Sequence, residues 1–444
     1  MQGALTKNNM GFYILLGSHY TYYKYICVII NQLELSMKSK LQKFCLLLLV
    51  AFLFCGKAKS AVIDDLRKWL ATPVAERGDV DHQSFANKSL SQEEAGRVLR
   101  LLQDEYYRHQ HERFDEIWKK QSFSRDTLTM KFMYRVYGEK PADGRSLYIS
   151  MHGGGGTTPE VNDGQWNNQI RLYQPEEGVY VAPRSLHNVW NMWCLPYLDG
   201  FFDELIQSAV VIMGVNPDKV YITGYSAGGD GTFRMAPRMS DRWAAALMCA
   251  GHPGTTSPVG LRNLPFGMWV GIEDTAYDRH QHGIEWCAAL KALRDLDPDG
   301  YISNAKMLPT GHWMNRMDTV AFKWMGQFTR NPYPDKVVWK QDCTDLNKAM
   351  YWLSMPEEKL QLGGLIIVSH NGNEFIIERS YSDELAIGLN DKMIDYSKPV
   401  VVRYRGKEVF RGKVKRTVAS LYKSYISRHD DRYGFSTVLN LKLD

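Results

Sequence analysis

Apolar and polar positions follow different periods along the chain, and the first clear pattern predicts a long helix followed by a strand. Over residues 91–119, apolar side chains recur with the 3.6-residue period of a helix, and Ser91 and Glu94 fit a capping box at its start. Residues 128–136 then alternate between apolar and mostly polar side chains. This second pattern predicts a strand with one buried face.

Between residues 145 and 330, short apolar runs alternate with segments of helical period. The runs that predict strands are 147–151, 178–182, 220–223, 244–250, 266–270 and 305–308. The segments that predict helices are 200–213, 227–238, 281–295 and 314–328. Alternating strands and helices favour a parallel sheet with both faces covered, and such sheets bind ligands at the carboxyl ends of their strands.

The chain beyond residue 330 predicts a second, β-rich region. Residues 331–334 (Asn-Pro-Tyr-Pro) break the earlier pattern and predict a linker, whereas Asn371 and Gly372 predict a hairpin turn. The apolar runs that predict strands are 337–339, 350–353, 365–368, 375–378, 385–389, 400–404, 409–414 and 435–441. Together with one helix near residues 417–427, they predict a small all-β, sandwich-like domain.

The first part of the chain predicts a secretory signal. A lysine-rich segment that starts at Met37 precedes an unbroken apolar run at 44–55, and small residues follow it. Twelve residues rise only about 18 Å as a helix, which is too short for a stable membrane span; the alternative is a short buried helix. We therefore expect residues 1–36 to be an upstream extension and the mature protein to be exported, to the periplasm or the extracellular space. Phe54 is too bulky before Cys55 for a lipid-attachment site, so no lipid anchor is expected.

Composition and charge exclude several classes of protein. The chain has 444 residues, of which 44% are hydrophobic and 23% charged, which excludes a disordered chain or a collagen-like fibre. Residues 1–60 contain seven of the 54 Lys and Arg residues and one of the 49 Asp and Glu residues, which leaves 47 positive against 48 negative charges. The near balance of charge over residues 61–444 predicts no nucleic-acid partner. The cysteines after the leader, Cys194, Cys249, Cys287 and Cys343, form no CxxC pair and predict neither a metal cluster nor a disulfide framework.

The strongest chemical motif is Gly-Tyr-Ser-Ala-Gly at residues 224–228, which follows an apolar strand and precedes a helical pattern. A serine on such a tight strand-to-helix turn is held in a strained conformation, and Gly224 and Gly228 leave room around it. The turn would point the hydroxyl of Ser226 over the edge of the sheet and place it near a helix N-terminus. The alternative is a glycine-rich turn with a capping serine.

A second glycine motif ends the strand at 147–151, where His152 is followed by four glycines. A glycine run at the end of a strand lets backbone amides approach a reacting carbonyl group. The amides of Gly153 and Gly154, with that of Ala227, are therefore predicted to form an oxyanion hole. A phosphate-binding loop is the weaker alternative because no Lys-Ser or Lys-Thr follows. We expect His152 to hold this loop rather than to carry a proton.

An acid and a base are expected after the serine, each at the end of a strand. Asp274 lies 48 residues after Ser226, and His312 lies 38 residues after Asp274. In this scheme His312 takes the proton from Ser226, and Asp274 orients the imidazole and stabilises its charged form. The alternatives are Glu273 and Asp278 for the acid and His252 for the base.

In these motifs the chain resembles the α/β-hydrolase family. The loop at 152–156, the turn at 224–228, Asp274 and His312 match the family's pattern in the same order, and the resemblance covers residues 125–330. Within this family, the chain most resembles secreted esterases of the polyhydroxybutyrate-depolymerase and feruloyl-esterase type. The resemblance implies a parallel-sheet core and hydrolysis through an acyl-enzyme, without a metal or an organic cofactor.

We therefore expect four segments along the chain. They are an extension and signal at 1–60, a helical segment at 61–124, an α/β-hydrolase catalytic domain at 125–330 and a β-sandwich-like domain at 335–444. The resemblance does not reach the last of these segments, which we expect to pack against the hydrolase or against a partner.

Aromatic and basic residues in the predicted strand-end loops are candidates for substrate binding. Trp166, Trp190 and Trp193 could stack on sugar or phenolic rings, or could pack in the core. Arg184 could pair with a substrate carboxylate such as a uronate, or could form a structural ion pair. The expected substrate is an acetyl, methyl or feruloyl ester on a polysaccharide; no oligomeric state is predicted.

Two other functions fit parts of the pattern. A serine peptidase of the prolyl-oligopeptidase type would use the same three residues, but no repeat of 40–50 residues predicts the propeller that would gate its site. A non-catalytic binding module on a hydrolase scaffold has no physical need for a nucleophile, an acid, a base and oxyanion glycines together. An exported serine esterase is therefore the leading prediction.

Overall fold

The computed structural model describes residues 61–342 and 346–443. The signal and extension predicted at 1–60, and Cys343, lie outside the described residues. The chain divides into two compact units, Met1–Trp69 and Leu70–Asp444; in the first unit, residues 61–69 are helical. Within the described ranges, no helix is both long and apolar enough to cross a membrane.

Eight strands of the second unit form one mixed sheet, and its inner strands are buried at nearly every position. In chain order they are β1 (Ser122–Arg125), β2 (Leu128–Tyr137), β3 (Arg145–Met151), β4 (Gly178–Pro183), β5 (Val215–Tyr225), β6 (Ala245–Cys249), β7 (Phe266–Gly271) and β8 (Ser303–Leu308). Their order across the sheet is β1-β2-β4-β3-β5-β6-β7-β8. The pairs β1–β2 and β2–β4 are antiparallel, and the six strands from β4 to β8 run parallel.

Helices connect these strands and cover the sheet. They are α1 (Gln92–Lys120), α2 (Pro159–Leu172), α3 (Leu198–Ser208), α4 (Ala227–Arg238), α5 (Arg279–Leu296) and α6 (Ala321–Met325). Alternate residues of β3 point to opposite faces. Leu147, Ile149 and Met151 pack in an apolar cluster with residues of α1, α3, α4 and α5. Tyr148 packs in a second cluster with residues of α2 and α6. Both faces are therefore covered, and the strand order with its parallel core confirms the predicted α/β-hydrolase fold.

The C-terminal region contains two further sheets. Its strands are β9 (Lys336–Lys340), β10 (Ala349–Met350), β11 (Leu353–Ser354), β12 (Leu365–Asn371), β13 (Glu374–Arg379), β14 (Glu384–Leu389), β15 (Val400–Tyr404), β16 (Lys407–Gly412) and β17 (Thr437–Lys442), with α7 (Val418–Ile426) before the last strand. The sheets have the orders β10-β11-β14-β17 and β16-β15-β13-β12-β9 and share one apolar cluster. The predicted β-rich region is confirmed, while the domain limits at residues 124, 330 and 335 stay predictions.

Two sequence predictions of single elements were wrong, and one helix was missed. Helix α2 was not predicted, because the side chains it buries are mostly amides rather than an apolar stripe. The helix predicted at 314–328 is replaced by a 3₁₀ turn at Met317–Val320 and the short α6, because Asn315 and Arg316 take positive φ angles of 51° and 63°. The strand predicted at 350–353 is divided between β10 and β11, which form a hairpin around Tyr351 at φ 53°.

A buried carboxylate joins the C-terminal region to the hydrolase sheet. Asp241, between α4 and β6, is fully buried and accepts hydrogen bonds from Arg242 at 2.6 Å, from the amide of Tyr351 at 2.9 Å and from Arg428. Burial opposes its ionisation, but Arg242 and Arg428 outweigh this and hold the pKa of Asp241 well below its usual value. The carboxylate is thus a charged tie between two sequence-distant regions.

Candidate active site

Ser226 occupies a sharp turn between β5, which ends at Tyr225, and α4, which begins at Ala227. Its φ of 57° and ψ of −120° are strained for a residue with a side chain. The amide of Ser226 donates a hydrogen bond to the carbonyl oxygen of Cys249 at 2.9 Å, which fixes the turn to β6. The surrounding structure therefore holds the serine in a conformation that it would not adopt alone.

Gly224 and Gly228 make this turn possible. A Cβ atom on Gly224 would lie 2.1 Å from the carbonyl oxygen of Gly228, and one on Gly228 would lie 2.1 Å from that of Met151. Both distances are far inside van der Waals contact, so only glycine fits at either position. The second contact also brings the end of β3 close to the turn that carries Ser226.

The structure brings Ser226, His312 and Asp274 into one chain of hydrogen bonds. The Nε2 atom of His312 lies 3.0 Å from the Oγ atom of Ser226, and its Nδ1 atom lies 2.8 Å from Oδ2 of Asp274. Both bonds form when Nδ1 carries the proton and Nε2 accepts from the hydroxyl group. The side chain of Asp274 is 1% exposed and that of His312 is 43% exposed, so the carboxylate is shielded from water while the ring borders solvent.

The residues around Asp274 hold its carboxyl group in place. Its amide donates to the carbonyl oxygen of Gly271 at 3.1 Å, and its own carbonyl oxygen accepts from the amide of His280 at 3.1 Å. The guanidinium Nη1 of Arg279 lies 3.8 Å from Oδ1, the carboxylate oxygen that His312 leaves free. The carboxylate therefore meets a positive charge on one side and the imidazole on the other.

The alternative acids and base lie elsewhere. Glu273 and Asp278 are exposed. His252 accepts a hydrogen bond on Nδ1 from the amide of Gly254 at 2.9 Å, and its own amide donates to Asp230 at 2.6 Å. The histidine that forms a hydrogen bond with Ser226 is therefore His312 and not His252.

The glycine loop after β3 lies against the serine. A Cβ atom on Gly153 would come within 3.2 Å of the Cβ atom of Ser226. Gly154 and Gly155 have φ angles of 108° and 119°, which side chains rarely tolerate. Asn162, fully buried at the start of α2, clamps the loop: its Oδ1 accepts from the amide of Gly155 at 2.9 Å and its Nδ2 donates to the Gly155 carbonyl at 3.0 Å.

The amides predicted to form an oxyanion hole are free to donate. Over the part of the chain that the structure describes, the amides of Gly153 and Gly154 make no hydrogen bond. Ala227 is the first residue of α4, where an amide has no carbonyl oxygen of its own helix to bind. These amides can meet negative charge that develops beside Ser226.

His152 is a brace for the same loop. Its Nδ1 donates to the carbonyl oxygen of Gly153 at 2.6 Å, and its Nε2 accepts from the amide of Ser185 at 3.1 Å. Burial lowers the pKa of His152 to about 4, so the ring is neutral near pH 7. Both ring nitrogens are occupied by the backbone, as expected of a structural residue.

The residues predicted to bind substrate do not line the cleft above Ser226. Trp193 is fully buried and donates to the carbonyl oxygen of His152, and Trp166 donates to that of Ala182. Arg184 is held by Asp163 at 2.7 Å and by Asn188 and Ser185, so its guanidinium forms part of a structural network. Trp190 is 77% exposed beside Gly155.

The cleft itself has a volume of about 660 Å³ and opens above Ser226 and His312. It is lined by residues that sequence reasoning did not select, from α2 and from the turn after His312: Gln165, Asn168, Gln169, Arg171, Leu172, Trp313 and Arg316. The missing prediction of α2 explains the first five. A signal did exist for the other two, because they follow His312 within four positions.

Over residues 61–342 and 346–443, no group of three or more His, Cys, Asp and Glu side chains is arranged to hold a metal ion.

The strand order, the glycine-flanked serine turn and the Ser-His-Asp hydrogen bonds define an α/β-hydrolase fold with the geometry of a serine nucleophile. No family model matches the chain, and no curated protein matches it. Several solved structures are similar to part of it. A thermostable esterase is 16% identical over 47% of this chain and 62% of its own length, with a TM-score of 0.38, so this chain spans less than two thirds of that esterase.

Two further structures are similar over about the same share of the chain. A ferulic acid esterase is 16% identical over 46% of this chain and 95% of its own, with a TM-score of 0.34. A fluorophosphonate-binding serine hydrolase from Staphylococcus aureus is 14% identical over 46% of this chain and 96% of its own, also with a TM-score of 0.34.

Proposed function

We propose that this protein is a serine hydrolase that cleaves carboxylic esters through an acyl-enzyme intermediate. The observation that carries the proposal is the hydrogen-bonded chain from Ser226 through His312 to Asp274, next to the free amides of Gly153 and Gly154. An isolated serine hydroxyl is a weak nucleophile. A neighbouring imidazole that removes its proton makes it a working one.

The two halves of the reaction use the same groups. In the first half, His312 takes the proton of Ser226 as Oγ attacks the ester carbonyl, and the same proton then passes to the leaving alcohol. In the second half, His312 takes a proton from water as the water oxygen attacks the acyl carbonyl. It then passes that proton to Oγ of Ser226 as the acyl–Oγ bond breaks and the acid leaves. Asp274 orients the imidazole and stabilises the imidazolium.

The oxyanion that forms in each half would be stabilised by backbone amides. Gly153 lies against Ser226, and Gly154 follows it in a loop that Asn162 holds through Gly155. Ala227 directly follows Ser226 at the start of α4. Such preorganised donors contribute about 3–4 kcal/mol each to transition-state stabilisation in other hydrolases. Asn162 and His152 would act through the loop, as positioning residues.

The substrate we propose is an ester borne on a polysaccharide, acetyl, methyl or feruloyl. The open cleft of about 660 Å³ and the 51% exposed ring of Trp313 in its wall support a bulky, ring-containing substrate. Export through the predicted signal is part of this proposal, because the enzyme must leave the cell to reach an extracellular polysaccharide.

The proposal is tested with 4-nitrophenyl acetate and a fluorophosphonate probe. We expect release of 4-nitrophenol that falls by about 10⁶ in kcat on Ser226→Ala, together with loss of labelling. Ser84→Ala, at an exposed position, is the matched control and should change neither. Turnover of aminoacyl 4-nitroanilides with little ester cleavage would favour a peptidase. Neither turnover nor labelling in the folded protein would contradict the proposal and favour a binding module.

A further inference from the structure

The cleft above Ser226 carries two positive charges that the proposed reaction does not use. Arg171 is the penultimate residue of α2, and Arg316 follows His312 by four positions; both line the cleft. The other polar side chains in the lining, apart from the reacting groups, are neutral amides and a phenol. No acidic side chain is among the described residues that border this cavity.

Neither arginine forms a contact ion pair with a carboxylate among residues 61–342 and 346–443, although Arg316 lies near enough to Asp318 to interact with its charge. Arg316 donates from Nη2 to the carbonyl oxygen of Leu172 at 3.0 Å, which is a neutral acceptor. The carboxyl group of Asp318 lies two positions further on, but it is fully buried and accepts a hydrogen bond from Tyr173. Burial also raises the pKa of Asp318, which weakens it as a counter-charge.

This situation differs from that of the arginines that hold the fold together. Those with ion pairs to Asp include Arg242, Arg262, Arg330, Arg416 and Arg428. Arg171 and Arg316 are both exposed. A guanidinium group is always charged near neutral pH, so each can meet an anion that arrives from solution.

A side-chain hydrogen bond places Arg316 next to the end of α2, where Arg171 lies. Through its bond to Leu172, which adjoins Arg171 in the chain, Arg316 links the turn after His312 to the end of α2. The negative end of the α2 dipole, equivalent to about half a charge, offsets part of one guanidinium and leaves the remainder. Two like charges held at one cleft repel each other, and an anion between them removes that repulsion.

We propose that Arg171 and Arg316 bind an anionic group of the substrate, so that the preferred esters carry a carboxylate near the scissile bond. This inference rests on the proposed function and deepens it. Planar guanidinium groups pair with carboxylates through two parallel hydrogen bonds, which gives both affinity and orientation. An ester on an acidic sugar or on an acidic aromatic unit would supply that group.

The carboxylate could belong to the alcohol or to the acyl part of the ester. Because His312 passes its proton to the leaving oxygen, the alcohol part must lie beside the turn that carries Arg316. Two matched pairs of esters distinguish the sources. In the first pair, 3-acetoxybenzoate and 3-acetoxybenzamide, the alcohol part is charged or neutral. In the second pair, the 4-nitrophenyl esters of 4-carboxybenzoic and 4-carbamoylbenzoic acid, the acyl part is charged or neutral.

The experiment measures kcat/KM for all four esters in the wild type and in the double variant Arg171→Gln/Arg316→Gln. Each kcat/KM value is divided by the rate of alkaline hydrolysis of the same ester, which corrects for differences in intrinsic reactivity. The ratio of charged to neutral ester within a pair is independent of the fraction of active protein, which fluorophosphonate titration measures separately. We expect the wild type to prefer the charged member of one pair by about tenfold. The double variant should bring that ratio to about one, and added salt should lower it in the wild type.

Arg379→Gln is the matched control, because Arg379 is an exposed arginine on β13 away from the cleft; it should keep the wild-type ratio. Hydrolysis that depends on Ser226 but shows no charge preference, or a preference that survives in the double variant, would overturn this inference and leave the proposed function intact. Absence of both ester hydrolysis and labelling would instead contradict the proposed function, and this inference would fall with it.

Discussion

The hydroxyl group of Tyr225 holds the main chain of the turn that carries His312. It donates a hydrogen bond to the carbonyl oxygen of His312 at 2.7 Å and accepts one from the amide of Met314 at 2.9 Å. The residue next to the proposed nucleophile therefore positions the proposed base, which lies 86 residues after Ser226. Neither bond involves the imidazole ring itself.

Replacing Tyr225 by Phe should lower kcat by about ten- to a hundredfold. The variant removes both bonds, leaves a buried amide without a partner and lets the turn shift, and a displacement of about 1 Å at a reacting group costs about a hundredfold. The measurement is kcat for 4-nitrophenyl acetate across a pH series, together with the free energy of unfolding. Tyr107→Phe, remote on α1, serves as control. A variant that loses stability but keeps the wild-type kcat would show that the turn needs no such tie.

Replacing Asp274 by Asn should lower kcat by about 10⁴ while substrate binding changes little. An amide in this place cannot stabilise the imidazolium and favours the tautomer of His312 that cannot accept the proton of Ser226. Steady-state kinetics at pH 7 measures the effect. The exposed Asp278 offers the comparison, because Asp278→Asn should retain nearly full activity. If the two variants exchanged these phenotypes, Asp278 would be the acid.

Replacing Asn162 by Ala should lower kcat by about ten- to a hundredfold with a smaller effect on KM. Without its two bonds to Gly155, the loop that carries the amides of Gly153 and Gly154 loses its clamp, and the donors no longer match the developing oxyanion. Kinetics with 4-nitrophenyl acetate measures the loss. Asn167→Ala, at an exposed position of the same helix, should have almost no effect. Equal kcat values for the two variants would contradict the role of Asn162.

The buried His152 should make the protein less stable in mild acid. Its pKa is about 4 in the folded protein and about 6.5 in the unfolded chain, so the unfolded state binds more protons between these values. The contribution of His152 to the free energy of unfolding should therefore be fully present above pH 6.5. It should fall by about 3 kcal/mol as the pH drops to 4.

Chemical denaturation at pH 7 and at pH 4.5 measures this effect. His152→Gln should be less stable at pH 7 but should show a smaller loss on acidification than the wild type. The exposed His111→Gln should keep the wild-type dependence. An unchanged loss in His152→Gln would mean that other groups cause it.

The fold and the three residues that meet at its edge were accessible to sequence reasoning for a physical reason. Ser226, Asp274 and His312 each follow an apolar run of strand length, and parallel strands bring their carboxyl ends to one edge of a sheet. The glycines at 224 and 228 add a steric requirement that few other turns have.

The residues that line the cleft could not be predicted from the sequence in the same way. Helix α2 buries Asn162, Gln169 and Ile170, so hydrogen bonds rather than an apolar stripe fix its inner face, and periodicity gives no signal. Arg171 was missed with it. Trp193 shows the converse problem, since an aromatic side chain in a strand-end loop has the same sequence signature whether it meets substrate or, as here, packs in the core.

The charged tie at Asp241 has a practical consequence for anyone who wants a minimal catalyst from this chain. A shortened version ending at residue 330 would retain every group proposed for chemistry, yet it would strip Arg428 and the Tyr351 amide from a fully buried acid. That acid lies three positions beyond the end of α4, the helix that begins at the nucleophile's turn. Trimming would therefore leave the Asp241 carboxylate with Arg242 but without Arg428 and the Tyr351 amide, in a surface that the C-terminal region no longer covers.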